Sequence, residues 1–346
     1  MKKFLNITAS LVLVVGLLAG CSASGGSSSS SSQPEKLTKM RVAYMPNMGS
    51  ASTLVTGINM GYFKQEGIDV ELVQFAKGPD EIAAMGSGNI DVSQIGHGAH
   101  TLAAKGQADI ITIDDTSLAD AVMGNKDKGV NTISDLKGKT IGTSLGTSSQ
   151  VILDLALASV GMTEKDVKVV QMDPSAAVTA MVTGNIDACA IWSPSTITVR
   201  QKMGDKVVTL ADNNTYKDQL QFPSSFVVTP AYAEKNKDLL VHFTSALFKA
   251  MDYRADQKNI KQVADWVAAQ IKQDPALMEQ GEGEGNWLTS KYVYDSVNNG
   301  TLKKIYENQQ ALFIKNKQLP AAVNVDNYVL YDNMKAAYEA NNKANK

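Results

Sequence analysis

The chain has little cysteine and almost no net charge. Its 346 residues include two cysteines, too few for a fold held together by disulfides. The 33 Lys and Arg residues nearly balance the 35 Asp and Glu residues, so the composition offers no basic surface for nucleic acid. Charged residues make up 20% of the chain, which excludes a disordered polyelectrolyte. A chain of this length is expected to form two folded units, because domains commonly contain roughly 100–200 residues.

Residues 1–20 have the pattern of an export signal. Two lysines precede an apolar segment at 11–18, which is too short to span a membrane as a helix. The segment leads into Leu-Ala-Gly-Cys at 18–21, which resembles the lipobox of bacterial lipoproteins, where the cysteine thiol takes a lipid. We therefore expect lipidation at Cys21. The alternative is an ordinary secretory signal with a chance cysteine.

Residues 21–36 are predicted to form a flexible tether, because they consist mainly of serine and glycine. No later apolar segment approaches the roughly 18 residues that a spanning helix needs. The folded part is therefore expected at the outer face of the cytoplasmic membrane, held there by the lipid on Cys21. The remaining cysteine, Cys189, lies among apolar residues and is predicted to pack in the core.

The sequence repeats itself at a spacing of about 96 residues. The segment 85–92, Met-Gly-Ser-Gly-Asn-Ile-Asp-Val, recurs at 181–188 as Met-Val-Thr-Gly-Asn-Ile-Asp-Ala. Upstream, Gly-Ser-Ala-Ser at 49–52 recurs as Gly-Thr-Ser-Ser at 146–149. Between these landmarks the same order of strands and helices is predicted in both units. Such alternation favours a parallel α/β sheet in each unit.

The predicted elements follow from the apolar patterns of the two copies. The predicted strands are 41–44, 69–75 and 92–95 in the first copy, and 139–142, 167–172 and 188–192 in the second. The predicted helices are 54–63 and 80–86, then 151–160 and 175–183. A further strand is expected at 109–113, at the end of the first unit.

Four loops are predicted to carry the site, because ligands of open α/β sheets bind beyond the carboxyl ends of the strands, near helix N-termini. These loops are 45–53, 96–100, 143–150 and 192–196. Two similar units with facing loops would form a cleft between them. The alternative is a duplicated α/β protein whose loops only turn the chain.

The candidate ligand-binding residues are glycines that allow close backbone approach, side chains that can hydrogen-bond, and aromatic rings. They are Asn47, Gly49, Ser50, His97, Gly98, His100, Ser144, Gly146, Thr147, Ser148, Trp192 and Phe222. Hydroxyls and helix N-terminal amides would donate to an anion or a carbonyl oxygen, and Trp192 would supply an apolar wall. The competing interpretations are helix capping for the Ser, Thr and His residues and packing between the units for Trp192.

No metal or cofactor is expected. His97 and His100 are three residues apart, but a zinc site needs at least three protein ligands and no third ligand is suitably spaced. None of the four loops contains Lys or Arg, which counts against a simple oxyanion binder. Asp114, Asp115 and Asp120 would favour a positively charged or amino-bearing ligand if they faced the cleft.

An ordered set of segments carries a resemblance to a known family. The segments are 41–44 (Arg-Val-Ala-Tyr), 61–72 (GYFKQEGIDVEL), 88–91 (GNID), 135–139 (DLKGK) and 184–188 (GNIDA), together with the lipobox. This set resembles the substrate-binding lipoproteins of ABC importers, in the NMT1/THI5-like group that covers nitrate, aliphatic sulfonate, taurine and thiamine-precursor uptake.

The resemblance implies a type II periplasmic-binding-protein fold, with two α/β lobes, a central cleft and a helical C-terminal part. Lobe 1 would comprise 37–116 and 226–346, lobe 2 would comprise 117–225, and the crossings would lie near 114–122 and 222–228. The implied function is capture of a small polar solute between the lobes and its delivery to a permease. We expect a monomer that binds no nucleic acid.

Two other functions share this fold. Pyrimidine-forming enzymes of thiamine synthesis resemble the chain in architecture, but the cysteine-rich motif of those enzymes is absent here, and we expect no enzyme. A ligand-sensing surface lipoprotein is the second alternative, because it would use the same kind of binding site.

Overall fold

The computed structural model describes residues 37–344 of the chain. The predicted export signal at 1–20, the predicted tether at 21–36 and the expected lipid attachment at Cys21 lie outside the described residues. Within the described part, no helix is both long enough and apolar enough to cross a membrane.

The described residues form strands and helices that alternate along the first two thirds of the chain and give way to helices towards the end. The strands are β1 Thr38–Tyr44, β2 Ile68–Gln74, β3 Val92–Ile95, β4 Asp109–Ser117, β5 Asp120–Asn125, β6 Thr140–Thr143, β7 Lys168–Gln171, β8 Ala188–Trp192, β9 Val207–Asp212, β10 Pro223–Val228 and β11 Gly285–Trp287. The helices are α1 Met48–Asn59, α2 Tyr62–Gln65, α3 Gly78–Gly86, α4 His100–Ala104, α5 Ser148–Ser159, α6 Pro174–Val182, α7 Ser195–Met203, α8 Pro230–Lys235, α9 Lys237–Ala255, α10 Ile260–Ile271, α11 Pro275–Glu279, α12 Ser290–Asn298, α13 Thr301–Lys315 and α14 Tyr331–Ala344.

The strands form two sheets with a common order. The first sheet runs β11-β4-β10-β3-β1-β2, and the second runs β7-β6-β8-β5-β9. In both, the first strand of the repeat (β1 or β6) lies between the second (β2 or β7) and the third (β3 or β8). Each predicted strand and helix of the repeat has a counterpart in the structure. The predicted α/β class with two similar units is therefore confirmed.

One strand in each repeated set runs against the others. β1 pairs in parallel with β2 and β3, and β6 pairs in parallel with β7 and β8. β10 is antiparallel to β3 and β4, and β5 is antiparallel to β8 and β9. The expectation of a parallel sheet in each unit was wrong for these two strands and for β11, which is antiparallel to β4. Both β5 and β10 enter directly from the other sheet, without the crossover helix that parallel pairing requires.

The chain crosses between the sheets twice. It leaves β4 and enters β5 through 118–119, inside the expected range of 114–122. It returns from β9 to β10 through 213–222, just before the expected range of 222–228, most of which is a central strand. The backbone N–H of Ser117 donates to the carbonyl oxygen of Phe222 at 2.8 Å, so the two crossings are hydrogen-bonded to each other.

The C-terminal helices pack on the first sheet both directly, through contacts of α9 and α14 with β4, and through α1. Helix α9 contacts α1 and α14, and α10 contacts α1. The apolar stripe of α9 buries Phe243, Leu247 and Met251, as its helical spacing predicts. In the second sheet Cys189 is fully buried among apolar side chains, which confirms its predicted place in the core.

Candidate functional site

A cavity lies between the two sheets and is lined by residues from both. Its walls are the carboxyl ends of strands and the first turns of α1, α3 and α5. It has a volume of about 60 Å³, enough for a few water molecules. The lining residues are Met45, Asn47, Met48, Gly49, Ser50, Gly78, Pro79, Gln94, Gly96, His97, Ala99, Asp115, Ser117, Ala119, Thr147, Ser148, Trp192, Ser193, Ser224 and Glu284.

All four predicted loops contribute to this cavity. The predicted residues that line it are Asn47, Gly49, Ser50, His97, Thr147, Ser148 and Trp192. They meet because each loop follows the carboxyl end of a parallel strand, and the two sheets present these ends to each other. Contact of these residues with a ligand stays a prediction.

The other five predicted residues, Gly98, His100, Ser144, Gly146 and Phe222, lie outside the lining. Gly98 packs against the backbone of Thr147, where a Cβ atom would come within 2.3 Å of the carbonyl carbon. Gly98 therefore permits close contact between loops of the two sheets. Gly146 forms a turn with φ of 76°, a conformation that favours glycine, and its N–H donates to Gln150 Oε1 at 2.7 Å.

The side chains of Ser144, His100 and Phe222 have structural partners. The Ser144 hydroxyl donates to the carbonyl oxygen of Met172 at 2.7 Å. In His100, Nε2 lies 2.8 Å from Ser225 Oγ and Nδ1 lies 3.1 Å from the carbonyl oxygen of His97. Burial lowers the pKa of His100 to about 4, so the ring is neutral at pH 7. These contacts fix the loop rather than reach the cavity.

His97 reaches the cavity with both ring nitrogens free of hydrogen bonds to described residues. The ring is 1% exposed, and the Phe222 ring packs on it at a centroid distance of 4.8 Å. Burial, and secondarily the nearby His100, holds the pKa of His97 well below its ordinary value. His97 is therefore a neutral side chain with one donor and one acceptor nitrogen available to a ligand.

The first turns of α1 and α5 face the cavity from opposite sheets. Asn47 caps α1, because its Oδ1 accepts from the N–H of Ser50 at 2.8 Å. Thr147 holds the corresponding position before α5, and its hydroxyl donates to the carbonyl oxygen of Ser144 at 2.6 Å. Capping and cavity lining thus coexist at Asn47. Both helix starts place positive dipole ends beside the cavity.

Carboxyl groups dominate the charged chemistry of the site. Ser224 donates to Asp115 Oδ1 at 2.6 Å, while Oδ2 is buried and accepts no hydrogen bond from the described residues. Burial, and then the neighbouring Asp114, raises the pKa of Asp115 to about 7. Burial likewise raises the pKa of Glu284 to about 7. The lining contains no Lys or Arg, although Arg254 and Arg200, outside it, offset part of the increase at Asp115 and Glu284 respectively.

Asp120 lies behind the lining. Its Oδ1 accepts from the hydroxyl of Ser148 at 2.6 Å, and its Oδ2 accepts from Asn213 at 3.3 Å. Burial raises its pKa to about 6, and these hydrogen bonds offset part of that increase. Asp120 therefore holds Ser148 and the start of β5 in place.

Asp114 is neutralised by Arg254 from α9. Both side chains are fully buried, and Arg254 donates to Asp114 Oδ1 and to its carbonyl oxygen, each at 2.9 Å. Thr53 donates to the same Oδ1 at 2.6 Å, and Ser52 accepts from the guanidinium at 2.9 Å. The pair joins β4, α1 and α9 directly behind the cavity.

Several lining residues were not predicted from the sequence, and Glu284 is the most consequential. It belongs to the acidic, glycine-rich segment 281–285, which lies outside the four loops predicted to carry the site. Strand β11 pairs with β4, and the N–H of Leu118 donates to the carbonyl oxygen of Glu284 at 2.8 Å, which brings the carboxyl group to the cavity. This pairing joins residues far apart in sequence, so only the acidic composition could have drawn attention to it.

No group of three or more His, Cys, Asp and Glu side chains between residues 37 and 344 is arranged to hold a metal ion.

A family model described as NMT1/THI5 like matches residues 50–259 of the chain. A protein of Brucella abortus named as a binding protein is 30% identical over 293 residues, 85% of this chain and 90% of that protein. A Bacillus subtilis protein named as an aliphatic sulfonates-binding protein is 29% identical over 275 residues, 77% of each chain.

Solved structures share the fold at lower identity. The alkanesulfonate-binding protein of Xanthomonas axonopodis pv. citri, bound to MOPS, has a TM-score of 0.67 and 22% identity, covering 84% of this chain and 98% of that one. A desulfurization enzyme has a TM-score of 0.58 and 14% identity, covering 87% of this chain and 99% of that one. The likeness confirms the predicted two-lobed periplasmic-binding fold.

Removing the cation behind the cavity should unfold the protein more readily. We expect Arg254→Met to lower the free energy of unfolding by about 3–5 kcal/mol, because it leaves the buried Asp114 carboxylate without its partner. Urea unfolding followed by far-UV circular dichroism measures the loss. The double variant Arg254→Met, Asp114→Asn should recover part of it, and Arg200→Met on the exposed face of α7 is the control. A stable single variant would contradict the role of this pair.

Proposed function

The chain belongs to the NMT1/THI5-like family, and on that premise we propose that it is the solute-binding component of an ABC importer. The observation that carries the proposal is the cavity between the two sheets, to which all four predicted loops contribute. The names of the relatives from Brucella abortus and Bacillus subtilis support it, since both are binding proteins. A small polar solute would bind there and be passed to a permease.

Capture would depend on closure of two lobes. We assign 37–116 and 226–346 to lobe 1 and 117–225 to lobe 2, joined by the crossings at 118–119 and 213–222. A rotation about these two adjacent segments would bury the solute and create the surface that the permease recognises. The loop contact between Gly98 and Thr147 would limit how far the lobes close. Closure of this kind takes place within one chain, so the proposed function requires only a monomer.

Binding rather than catalysis fits the chemistry of the cavity. The sole imidazole in the lining, His97, has no carboxylate hydrogen-bonded to its ring among residues 37–344, so nothing orients it as a general base. The desulfurization enzyme shares the fold, but fold alone does not carry an activity. A ligand-sensing role would use the same cavity. Solute uptake by cells that lack and regain this protein separates import from sensing.

We further propose that the protein is a lipoprotein at the outer face of the cytoplasmic membrane. Cys21 would carry the lipid, and the serine- and glycine-rich residues 21–36 would give the folded part freedom to meet the permease. A single anchor on a flexible chain keeps the binding protein near its partner and raises the effective concentration of the encounter.

Replacing Cys21 should prevent attachment of the lipid. In cells that express Cys21→Ser, we expect no incorporation of labelled fatty acid and an altered processing of residues 1–20, because the lipid acceptor is gone. Radiolabelled palmitate and membrane fractionation measure the change, with Cys189→Ser as the matched cysteine control. Equal labelling of wild type and Cys21→Ser would contradict the anchor.

The solute class is proposed from the family and from the helix starts at the cavity. Sulfonate-, nitrate-, taurine- and thiamine-precursor-like solutes are the candidates, since the first turns of α1 and α5 favour an anionic or carbonyl group. Trp192 would pack against the carbon skeleton or ring of the solute.

Thermal-shift screening against these solute classes tests the site. A solute present at about 100 times its dissociation constant should stabilise the protein by about 2.7 kcal/mol and raise its melting temperature. For the best solute, the double variant Trp192→Ala, Thr147→Ala should lose most of this shift, because it removes one lining group from β8 and one from the start of α5.

Leu145→Ala is the matched control, because Leu145 lies in the same loop as Thr147 but is 42% exposed and outside the lining. It should leave the shift unchanged. If the double variant bound the best solute as tightly as wild type, the cavity would not be the binding site.

A further inference from the structure

We propose that the solute carries a positively charged nitrogen group, an ammonium or an amidinium, which binds to the carboxylate of Asp115 in the cavity that Glu284 also lines. The inference rests on the proposed function, because it assigns a ligand chemistry to the same cavity. It differs from that proposal in requiring a cation at one end of the solute.

The unpartnered atoms of the cavity are mainly acceptors. Asp115 Oδ2 and Gln94 Oε1 are buried, line the cavity and accept no hydrogen bond from the described residues. The carboxyl group of Glu284 lines the same space. A buried acceptor that stays without a donor costs free energy, more so when it is charged. A solute that donates N–H groups would satisfy the two unpartnered acceptors, Asp115 Oδ2 and Gln94 Oε1.

No cationic side chain of the lining donates a hydrogen bond to these acceptors. Arg254 is directed to Asp114 and Ser52, and its guanidinium also lies 4.8 Å from the centroid of the Trp287 ring. His97 is neutral, because burial holds its pKa well below the ordinary value. The lining itself contains no Lys or Arg. The positive charge that balances Asp115 is therefore either a proton, because burial raises its pKa to about 7, or a cation brought by the solute.

The geometry leaves one oxygen of Asp115 open to the cavity. Ser224 holds Asp115 Oδ1 at 2.6 Å, which leaves Oδ2 as the free oxygen. Pairing of β11 with β4 places Trp287 opposite Asp115 and Gly285 opposite Ser117, so Glu284 lines the cavity further along the same edge. Gly49 borders Oδ2, since a Cβ atom on it would lie 3.7 Å away. The missing side chain leaves room for a compact donor group.

The remaining lining is compatible with such a solute. The Trp192 indole lies in the same cavity and can attract a cation over its face. The starts of α1 and α5 can hold an anionic group at the other end of a solute that has one. A purely anionic solute would instead meet the carboxylates without a counter-charge.

Matched pairs of solutes test this inference on the unmodified protein. Titration calorimetry would compare 2-aminoethanesulfonate with 2-hydroxyethanesulfonate, and benzamidine with benzamide, above the pKa values of about 7 of Asp115 and Glu284. In at least one pair the cationic member should bind about ten-fold more tightly or better, because only it compensates a buried charge. Equal or tighter binding by the members that lack the cation, 2-hydroxyethanesulfonate and benzamide, would overturn the inference. No binding by either cationic solute would overturn it as well.

Two variants test which carboxyl groups bind the cationic group of the solute. Asp115→Asn and Glu284→Gln should each weaken the cationic member, by about ten-fold for Asp115→Asn, without weakening its matched partner. Asp238→Asn, an exposed carboxylate on α9, is the control and should change neither. Near-UV circular dichroism checks that each variant is folded. If a variant does not fold, the solute pairs on wild type still decide the question.

The outcomes separate this inference from the proposed function. If both members of a pair bound equally and both lost binding in the Trp192→Ala, Thr147→Ala variant, the cavity would remain the solute site and the cationic assignment would fail. If the cationic member bound without any effect of that variant, the site itself would be misplaced.

Discussion

The buried ion pair between Arg254 and Asp114 is the interaction on which the site depends. Asp114 and Asp115 are neighbours on β4, and side chains alternate between the two faces of a strand, so one meets α1 and α9 while the other meets the cavity. Arg254 forms its ion pair with Asp114 alone. Asp115 is left buried with one oxygen free, and the residual negative charge of the cavity follows from that division. Helix α9 thus shapes the site although none of its residues lines it.

The duplication explains how a cavity with opposed helix starts arises. Each copy places a loop and a helix N-terminus after its first strand, and the two copies supply α1 and α5 to opposite walls. Strands β5 and β10, which follow the two crossings, add polar groups that the repeat lacks. Asp120 begins β5, and Ser224 lies on β10. The repeated parts give the helix starts, and Ser148 among them holds Asp120, while Ser224 on β10 holds Asp115.

Local patterns predicted the repeated elements well. Strands β3 and β8 have the predicted bounds of 92–95 and 188–192, because short apolar runs between turn residues specify them. Helix α1 begins at Met48 rather than Leu54, since Asn47 caps a first turn of small residues that carries no apolar signal. Strand β10 and the position of Glu284 depend on pairing between distant segments, which no local pattern contains. His100 illustrates the same limit, because its partner Ser225 is 125 residues away.

If the carboxyl groups of the cavity select the solute, its binding must change their protonation. The number of protons released on binding measures this selection most directly. Asp115 and Glu284 have pKa values near 7, so each is partly protonated in the free protein at neutral pH. A bound cation lowers both pKa values and expels protons. Titration of the tightest-binding solute at pH 7, in buffers of different ionisation enthalpy, should therefore show release of up to about one proton per solute, abolished in large part by Asp115→Asn. Proton uptake on binding, as an anion would cause, would contradict the account.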